Sequence, residues 1–152
     1  FSVTSATGSS VALAWTDHAS NENHFLLERR IPPAAFAPLA TVPLDTTAYT
    51  DSSVASGTAY EYRLSAINNA GASSTVTVAV TTPPATPVNF DATSTATSIN
   101  LAWTDAAANE TGYELQRKTG AAGTWTTLAT KAPNATSHSD ATIALEQTYV
   151  YR

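Results

Sequence analysis

Hydrophobic and polar residues alternate along most of this 152-residue chain. In the stretch VALAW, Val11, Leu13 and Trp15 fall on one face of an extended backbone, and the two alanines fall on the other. The same two-residue period recurs in YEYRLSAIN, which begins at Tyr60, and in TVTVAV, which begins at Thr75. No long segment has the 3.6-residue period of an amphipathic helix. The pattern therefore predicts β-strands and almost no helix.

Short runs rich in glycine, proline, serine and asparagine separate these alternating stretches. In chain order they read ATGSS, HASNEN, IPPAAFAP, PLDTT, ASG and NNAG, and residues of these types favour turns. They divide the first half of the chain into about seven short strands, which is typical of an antiparallel sandwich of two β-sheets. The predicted fold class is therefore all-β.

The sequence repeats itself over nearly its whole length. LAWTD occurs at Leu13–Asp17 and again at Leu101–Asp105, and the residues around the two copies also align. A period of about 90 residues is too long for a solenoid and fits two whole domains in tandem. The stretch TTPPATP between the copies is rich in proline, which favours an extended, stiff spacer. We predict a domain over residues 1–82, a Pro-rich linker over residues 83–87 and a second domain over residues 88–152.

Four aromatic residues point to a known family. Trp15 and Trp103 lie on the second predicted strand of each copy, and Tyr60 and Tyr149 lie on the sixth. Together with the Pro-rich joint, they make the chain similar to tandem fibronectin type III domains, which are immunoglobulin-like sandwiches. The variant WTD…NE…(F/Y)xLxR resembles the form common in secreted bacterial and archaeal proteins. The resemblance implies that both tryptophans are core residues and that each tyrosine forms a tyrosine corner, with its hydroxyl bonded to nearby backbone.

The second copy is shorter than the first. When the copies are aligned, its sixth strand would continue past Arg152, so the second sandwich is expected to lack its last strand or strands. Such a strand would bury several apolar side chains, each worth about 1.5–3 kcal/mol. We expect either that the natural protein continues or that a neighbouring chain donates the strand.

Composition disfavours several classes of function. The net charge is -5 and the chain has only two lysines, so it lacks the basic stripe that a nucleic-acid-binding protein needs. The same deficit disfavours an anionic membrane surface, and no apolar run approaches the roughly 18 residues of a membrane span. Without cysteine there are no disulfides and no thiolate metal ligands. We expect no nucleic-acid partner, no membrane insertion and no cofactor.

Two equivalent loops carry oxygen-bearing side chains, which are the ligand type that calcium prefers. The candidates are Asp17, Asn21, Glu22, Asp105, Asn109 and Glu110. Calcium takes about six or more oxygens, and each loop supplies three such side chains, so the favoured interpretation is that these residues stabilise turns. His18 and His24 flank the first loop but have no histidine counterparts in the second, which disfavours a transition-metal site.

Catalytic patterns are missing, but two loop aromatics are candidates for binding. There is no GxSxG elbow and no glycine-rich phosphate loop. Phe36 and Trp125 occupy equivalent loops between the third and fourth strands, where an aromatic ring either covers the edge of the sandwich or stacks on a sugar or a partner. Two sequons, NET at Asn109 and NAT at Asn134, are candidate glycosylation sites.

We interpret the chain as a non-catalytic spacer or assembly segment of a longer extracellular or cell-surface protein. Its strand faces are rich in threonine, serine and alanine, which protect sheet edges weakly, and this suits domains tethered in a row. One alternative is a carbohydrate- or protein-binding accessory module of a secreted enzyme or receptor. Another is a filament subunit that receives a strand from its neighbour. The expected partners are neighbouring domains, copies of the chain itself or a polysaccharide.

Overall fold

The computed structural model describes residues 1–152, which form fourteen β-strands and no helix, so the all-β prediction is confirmed. The strands are β1 (Ser2–Ala6), β2 (Val11–Ala14), β3 (His24–Arg30), β4 (Ala37–Pro43), β5 (Ala48–Asp51), β6 (Ala59–Asn68), β7 (Gly71–Ala72), β8 (Val76–Thr81), β9 (Val88–Ser94), β10 (Ile99–Thr104), β11 (Tyr113–Thr119), β12 (Thr126–Lys131), β13 (Ser137–Asp140) and β14 (Tyr149–Tyr151). No element is a helix of the length and apolar character that crossing a bilayer requires. The chain divides into two compact units, unit 1 at Phe1–Pro84 and unit 2 at Ala85–Arg152.

Unit 1 contains two antiparallel sheets. One has the order β1-β2-β5, and the other has the order β4-β3-β6-β7 with β8 also paired to β6. In the β3–β6 pair, Leu27 lies opposite Leu64 and Glu28 lies opposite Arg63. Because successive side chains of a strand face opposite ways, this register places Leu27 and Leu64 on the inner face of the sheet and Glu28 and Arg63 on the outer face. The buried core consists of Val11, Leu13, Trp15, Phe25, Leu27, Val42, Tyr60, Tyr62 and Leu64.

Unit 2 contains two three-stranded sheets, ordered β13-β10-β9 and β12-β11-β14. Its β14 has three residues and pairs with β11, whereas β6, the matching strand of unit 1, has ten. The buried core of unit 2 consists of Leu101, Trp103 and Leu115. Around it pack the partly buried residues Ile99, Tyr113, Leu128, Ala129, Ala135 and Tyr151.

Unit 1 extends into the proline-rich stretch. Thr82 is 1% exposed, and its hydroxyl donates to the carbonyl of Ala55 at 2.6 Å. One residue later, the carbonyl of Pro83 accepts a hydrogen bond from the N–H of Gly57 at 2.8 Å. Unit 1 therefore includes Pro83, which the sequence prediction placed in the linker, because the turn before β6 holds this backbone in place.

Candidate functional site

A buried carboxylate organises the polar interior of unit 1. Asp51, at the end of β5, is 1% exposed and accepts a hydrogen bond from the guanidinium of Arg29 at 2.6 Å. The hydroxyl of Tyr62 donates to the same carboxylate at 2.9 Å, and Ser53 donates to it through its backbone N–H at 2.9 Å and its hydroxyl at 2.7 Å. Arg29, Asp51 and Tyr62 come from β3, β5 and β6, and Ser53 lies in the loop after β5. We call Arg29, Asp51 and Tyr62 the polar clamp of unit 1.

Unit 2 repeats this arrangement group by group. Asp140, also 1% exposed, accepts from Arg117 at 2.6 Å and from the hydroxyl of Tyr151 at 2.9 Å. Thr142 takes the place of Ser53 and donates through its N–H at 2.9 Å and its hydroxyl at 2.7 Å. Arg117, Asp140 and Tyr151 form the polar clamp of unit 2. The residues of both clamps went unnoticed in the sequence.

The clamps shift the acidity of their members in opposite directions. Burial acts to raise the pKa of Asp140, but the hydrogen bonds from Thr142, Arg117 and Tyr151 outweigh it and lower the pKa to about 2. Burial, with help from the Asp140 carboxylate, raises the pKa of Tyr151 to about 12. The pKa of Asp51 is lowered in the same way as that of Asp140. Each clamp therefore holds an ionised carboxylate and a neutral phenol over a wide range of pH.

The aromatic residues on which the family resemblance depends lie inside the two units. Trp15 is 8% exposed and Trp103 is 6% exposed. The hydroxyl of Tyr60 accepts a hydrogen bond from the N–H of Ala55 at 2.8 Å, and that of Tyr149 accepts from Ala144 at 2.8 Å. Each tyrosine thus fixes the turn five residues before it, which is the geometry of a tyrosine corner.

Asp17 and Asp105 stabilise the turns in which they lie. Each accepts a hydrogen bond at 2.9 Å from the backbone N–H two residues later, an Asx turn. In unit 1 the carboxylates of Asp17 and Glu22 also come close to Asp45, with ligand atoms of all three within 4.8 Å of one another. The sequence analysis did not identify Asp45, because it lies in the turn between β4 and β5 and not in the loop that contains Asp17 and Glu22. Asn21 is exposed on the loop.

The corresponding loop of unit 2 differs in one residue that matters for a cation. Asn134 stands in the turn where unit 1 has Asp45, and both residues have a positive φ, 61° and 59°. Its backbone N–H donates to the Glu110 carboxylate at 3.0 Å, and the amide oxygen of Asn109 is buried without a partner. Calcium prefers about six or more oxygen ligands. Among the side chains that the two loops share, Asp17 and Asp105 serve Asx turns and Glu110 accepts from the Asn134 N–H, whereas one carboxylate oxygen of Glu22 is buried without a hydrogen-bond partner. Of the two sequons, Asn134 is exposed and Asn109 is half-buried.

None of the three histidines joins a group that could hold a metal ion. His18 is exposed, and His24 begins β3 and is half-buried. His138 lies on β13, where burial lowers its pKa and the charge of Lys131 acts in the same direction.

Phe36 is half-buried against two arginines on the outer face of the unit 1 sheet. The guanidinium carbons of Arg30 and Arg63 lie 4.5 and 4.4 Å from its ring centroid. Both arginines are also paired with carboxylates: Arg63 with Glu28 at 2.7 Å, and Arg30 with Glu61 at 2.6 Å. The ring therefore packs on a neutralised charge network instead of standing free for a partner.

Trp125 occupies the equivalent position in unit 2. The ammonium of Lys118 lies 5.2 Å from its ring centroid, and the guanidinium carbon of Arg152 lies 4.4 Å from it. The Nε of Arg152 donates to the side-chain oxygen of Gln116 at 2.7 Å, and Lys118 donates to the carbonyl of Ala121 at 2.6 Å. The sequence indicated the aromatic ring but not the two cations beside it.

Comparison with solved structures places this geometry in a known architecture. A segment of two fibronectin type III domains from chicken tenascin is similar over 97% of this chain and 84% of its own length, with 18% identity and a TM-score of 0.64. The fibronectin type III domain of the human collagen alpha-1(XX) chain is similar over 58% of this chain and 86% of its own, with 24% identity and a TM-score of 0.51. The FN1–FN3 domains of chicken CNTN1 are similar over 99% of this chain and 57% of their own, with 14% identity and a TM-score of 0.50.

These likenesses show the fold, which is that of fibronectin type III domains. In sequence, the chain matches no protein-family model and no curated protein.

Proposed function

We propose that the chain is a non-catalytic structural segment of an extracellular or cell-surface protein, in which each unit serves as a stable spacer. The observation that carries the proposal is the duplication of the polar clamp. In both units a buried aspartate accepts a hydrogen bond from an arginine guanidinium at 2.6 Å and from a tyrosine hydroxyl at 2.9 Å. A feature repeated in both copies serves what the copies have in common, which is the fold.

The ionisable groups of the clamps are fully engaged within the fold. The Asp140 carboxylate accepts hydrogen bonds from Arg117, Tyr151 and Thr142, and these keep its pKa at about 2. A general acid or base works best with a pKa near the ambient pH. The clamp carboxylate is therefore suited to holding strands together and poorly suited to proton transfer.

The cellular setting that we propose is the outside of a bacterial or archaeal cell. Its support is the WTD…NE…(F/Y)xLxR variant, together with a surface of threonine, serine and alanine and a charged content of only 12%. The fibronectin type III fold is compatible with that setting and does not by itself identify it.

Single-molecule force spectroscopy tests the spacer function directly. The chain is placed between marker domains and stretched, and two unfolding events are expected. Full extension of the 84 residues of Phe1–Pro84 adds about 280–300 Å of chain, and extension of the 68 residues of Ala85–Arg152 adds about 220–240 Å. Smooth extension of unit 1 without a force peak would contradict the proposal.

A matched pair of arginine variants shows whether the clamp provides the resistance. Arg29→Gln removes a clamp residue, whereas Arg30→Gln removes the neighbouring arginine, whose pair with Glu61 lies on the outer face. We expect Arg29→Gln to lower the unfolding force of unit 1 and Arg30→Gln to leave it nearly unchanged. Equal effects of the two variants would show that the clamp has no special mechanical part.

A further inference from the structure

The two units carry equivalent clusters of an aromatic ring and two cations, but the charge balance of the clusters differs. The unit 1 cluster consists of Arg30, Phe36 and Arg63, and the unit 2 cluster consists of Lys118, Trp125 and Arg152. The unit 1 cluster therefore shows which chemical group pairs with the cations of such a cluster.

In unit 1 both cations hold a carboxylate from the neighbouring strand. Arg63 donates from Nε and Nη2 to the two oxygens of Glu28, each at 2.7 Å. Arg30 donates from Nε and Nη2 to one oxygen of Glu61, at 2.8 and 2.6 Å. A planar guanidinium edge that meets a carboxylate in this way forms a strong and geometrically specific interaction.

In unit 2 the two carboxylates are replaced by uncharged side chains. Gln116 stands opposite Arg152 where Glu28 stands opposite Arg63, and Val150 stands opposite Lys118 where Glu61 stands opposite Arg30. None of the four salt bridges of the chain involves Lys118 or Arg152. Arg152 uses Nε for Gln116, which leaves the four terminal N–H groups of its guanidinium for another acceptor.

Glu114 on β11 is the acidic residue whose charge Arg152 influences, but the two form no salt bridge. Hydrogen bonds from Thr127 and Gln116, each at 2.7 Å, lower the pKa of Glu114, the charge of Arg152 adds to this, and Glu114 is exposed. The cations beside Trp125 are held in place by Gln116 and the Ala121 carbonyl, so they are positioned before any ligand arrives.

We propose that the unit 2 cluster binds a carboxylate-bearing sugar, that is, a uronic acid residue of an acidic polysaccharide. The carboxylate accepts hydrogen bonds from the terminal N–H groups of Arg152, whose Nε is engaged by Gln116, and the ammonium of Lys118 beside the same indole adds a second positive charge. The sugar ring lies against the exposed part of the Trp125 indole, since apolar ring faces of sugars pack on aromatic side chains. A carboxylate receptor beside an indole fits a sugar acid better than an acidic peptide, whose side chains offer no such ring. The inference does not rest on the spacer function.

Isothermal titration calorimetry with trigalacturonate tests the proposal. The protein carries a short Gly-Ser extension after Arg152, so that no terminal carboxylate lies beside the guanidinium. We expect binding that weakens about ten- to a hundredfold in Arg152→Gln, because a charged hydrogen-bond partner is lost. Trigalacturonate with methyl-esterified carboxylates should not bind. Lys131→Gln removes the same charge outside the cluster and should bind as the parent does.

A charge-pattern swap tests the same idea without removing any residue of the cluster. The variant Gln116→Glu/Val150→Glu gives unit 2 the carboxylates of unit 1 and should abolish binding. The reciprocal variant Glu28→Gln/Glu61→Val should open a second, weaker site beside Phe36. Urea unfolding of each variant shows that it remains folded.

Three results would overturn the proposal. The first is no detectable binding of trigalacturonate at millimolar concentration. The second is binding that Arg152→Gln and the swap leave unchanged. The third is binding of a triglutamate peptide as tight as that of trigalacturonate, which would identify an acidic protein partner instead of a sugar.

Discussion

The two units hold nearly identical polar clamps around cores of very different size. Unit 1 buries nine apolar or aromatic side chains in its core, and unit 2 buries three. The contrast is visible beside the tryptophans. Phe90 packs 6.3 Å from Trp103 and is 42% exposed, whereas Phe1 packs 6.1 Å from Trp15 and is half-buried. Polar geometry and hydrophobic burial are therefore separable in this fold.

The separation follows from which strands each feature needs. A clamp needs three strands, which are β3, β5 and β6 in unit 1 and β11, β13 and β14 in unit 2. The core of unit 1 also receives Leu64 from β6 and has Val78 and Val80 of β8 packed against it. The buried core of unit 2 consists of Leu101, Trp103 and Leu115, which lie on β10 and β11. In unit 1 the clamp thus joins three strands, and β8, which lies outside the clamp, adds Val78 and Val80 to the apolar packing.

The largest effect expected from this comparison is at an equivalent pair of core leucines. Leu27 is 0% exposed and Leu115 is 4% exposed. Leu27→Ala should lower the free energy of unfolding of unit 1 by about 4 kcal/mol, because a closely surrounded site leaves a cavity. Leu115→Ala should cost unit 2 about 2 kcal/mol, because fewer buried neighbours lose contact. Urea unfolding followed by resolved NMR signals of each unit measures both values.

Leu39→Ala is the control for the leucine pair, since Leu39 is only partly buried against the same core. It should cost unit 1 clearly less than Leu27→Ala does. Equal losses at Leu27 and Leu115 would show that the small core of unit 2 is as tightly packed as the large one. The proposed difference between the units would then be wrong.

The fold could be predicted because its signals are local and repeated. Two-residue alternation, turn residues and the second copy of LAWTD each indicate strands in tandem units, and they agree with one another. The clamps were missed although a signal existed. Arg29 follows Phe25 and Leu27 at two-residue spacing, so the alternation directs its charge inward, where it requires a buried carboxylate. The alternation cannot name Asp51, because that partner comes from the opposite sheet.

The candidate binding residues divide in the same way. Phe36 and Trp125 could be found because the two copies place an aromatic ring in the same loop. The cations beside these rings could not be predicted, because the local sequence pattern does not determine how a loop folds over its sheet. Whether Trp125 binds a ligand stays a prediction, as does glycosylation at Asn134.

A pH titration of unit 2 has the next largest expected effect. The pKa of Asp140 is about 2 in the folded chain against an ordinary value of 3.8, so its ionised form stabilises the fold. That contribution is fully present above about pH 4 and is lost as the pH falls towards 2. It amounts to roughly 2 kcal/mol of the free energy of unfolding. Urea unfolding of unit 2 at a series of pH values between 5 and 2 measures the loss.

Asp140→Asn isolates this carboxylate from the other acids. The variant should be less stable than the parent at pH 7, and the difference between the two should shrink as the pH approaches 2. In unit 1, Asp51→Asn should show the same pH dependence of its stability loss, since the pKa of Asp51 is also lowered. A difference that stays constant across this range would mean that neither clamp depends on an ionised aspartate.

The smallest expected effect concerns the tyrosine corners. Tyr60→Phe removes the hydroxyl that accepts the N–H of Ala55 at 2.8 Å, and Tyr60 is only 3% exposed. The orphaned N–H should cost unit 1 about 1.5 kcal/mol, because water reaches it poorly. Tyr149 is half-buried, so in Tyr149→Phe water can replace the hydroxyl and the cost should be about 0.5 kcal/mol. Urea unfolding of each unit measures the two costs. Equal losses in free energy of unfolding for Tyr149→Phe and Tyr60→Phe would mean that water is excluded from both tyrosine corners alike. The difference between the units would then be confined to the centre of the core.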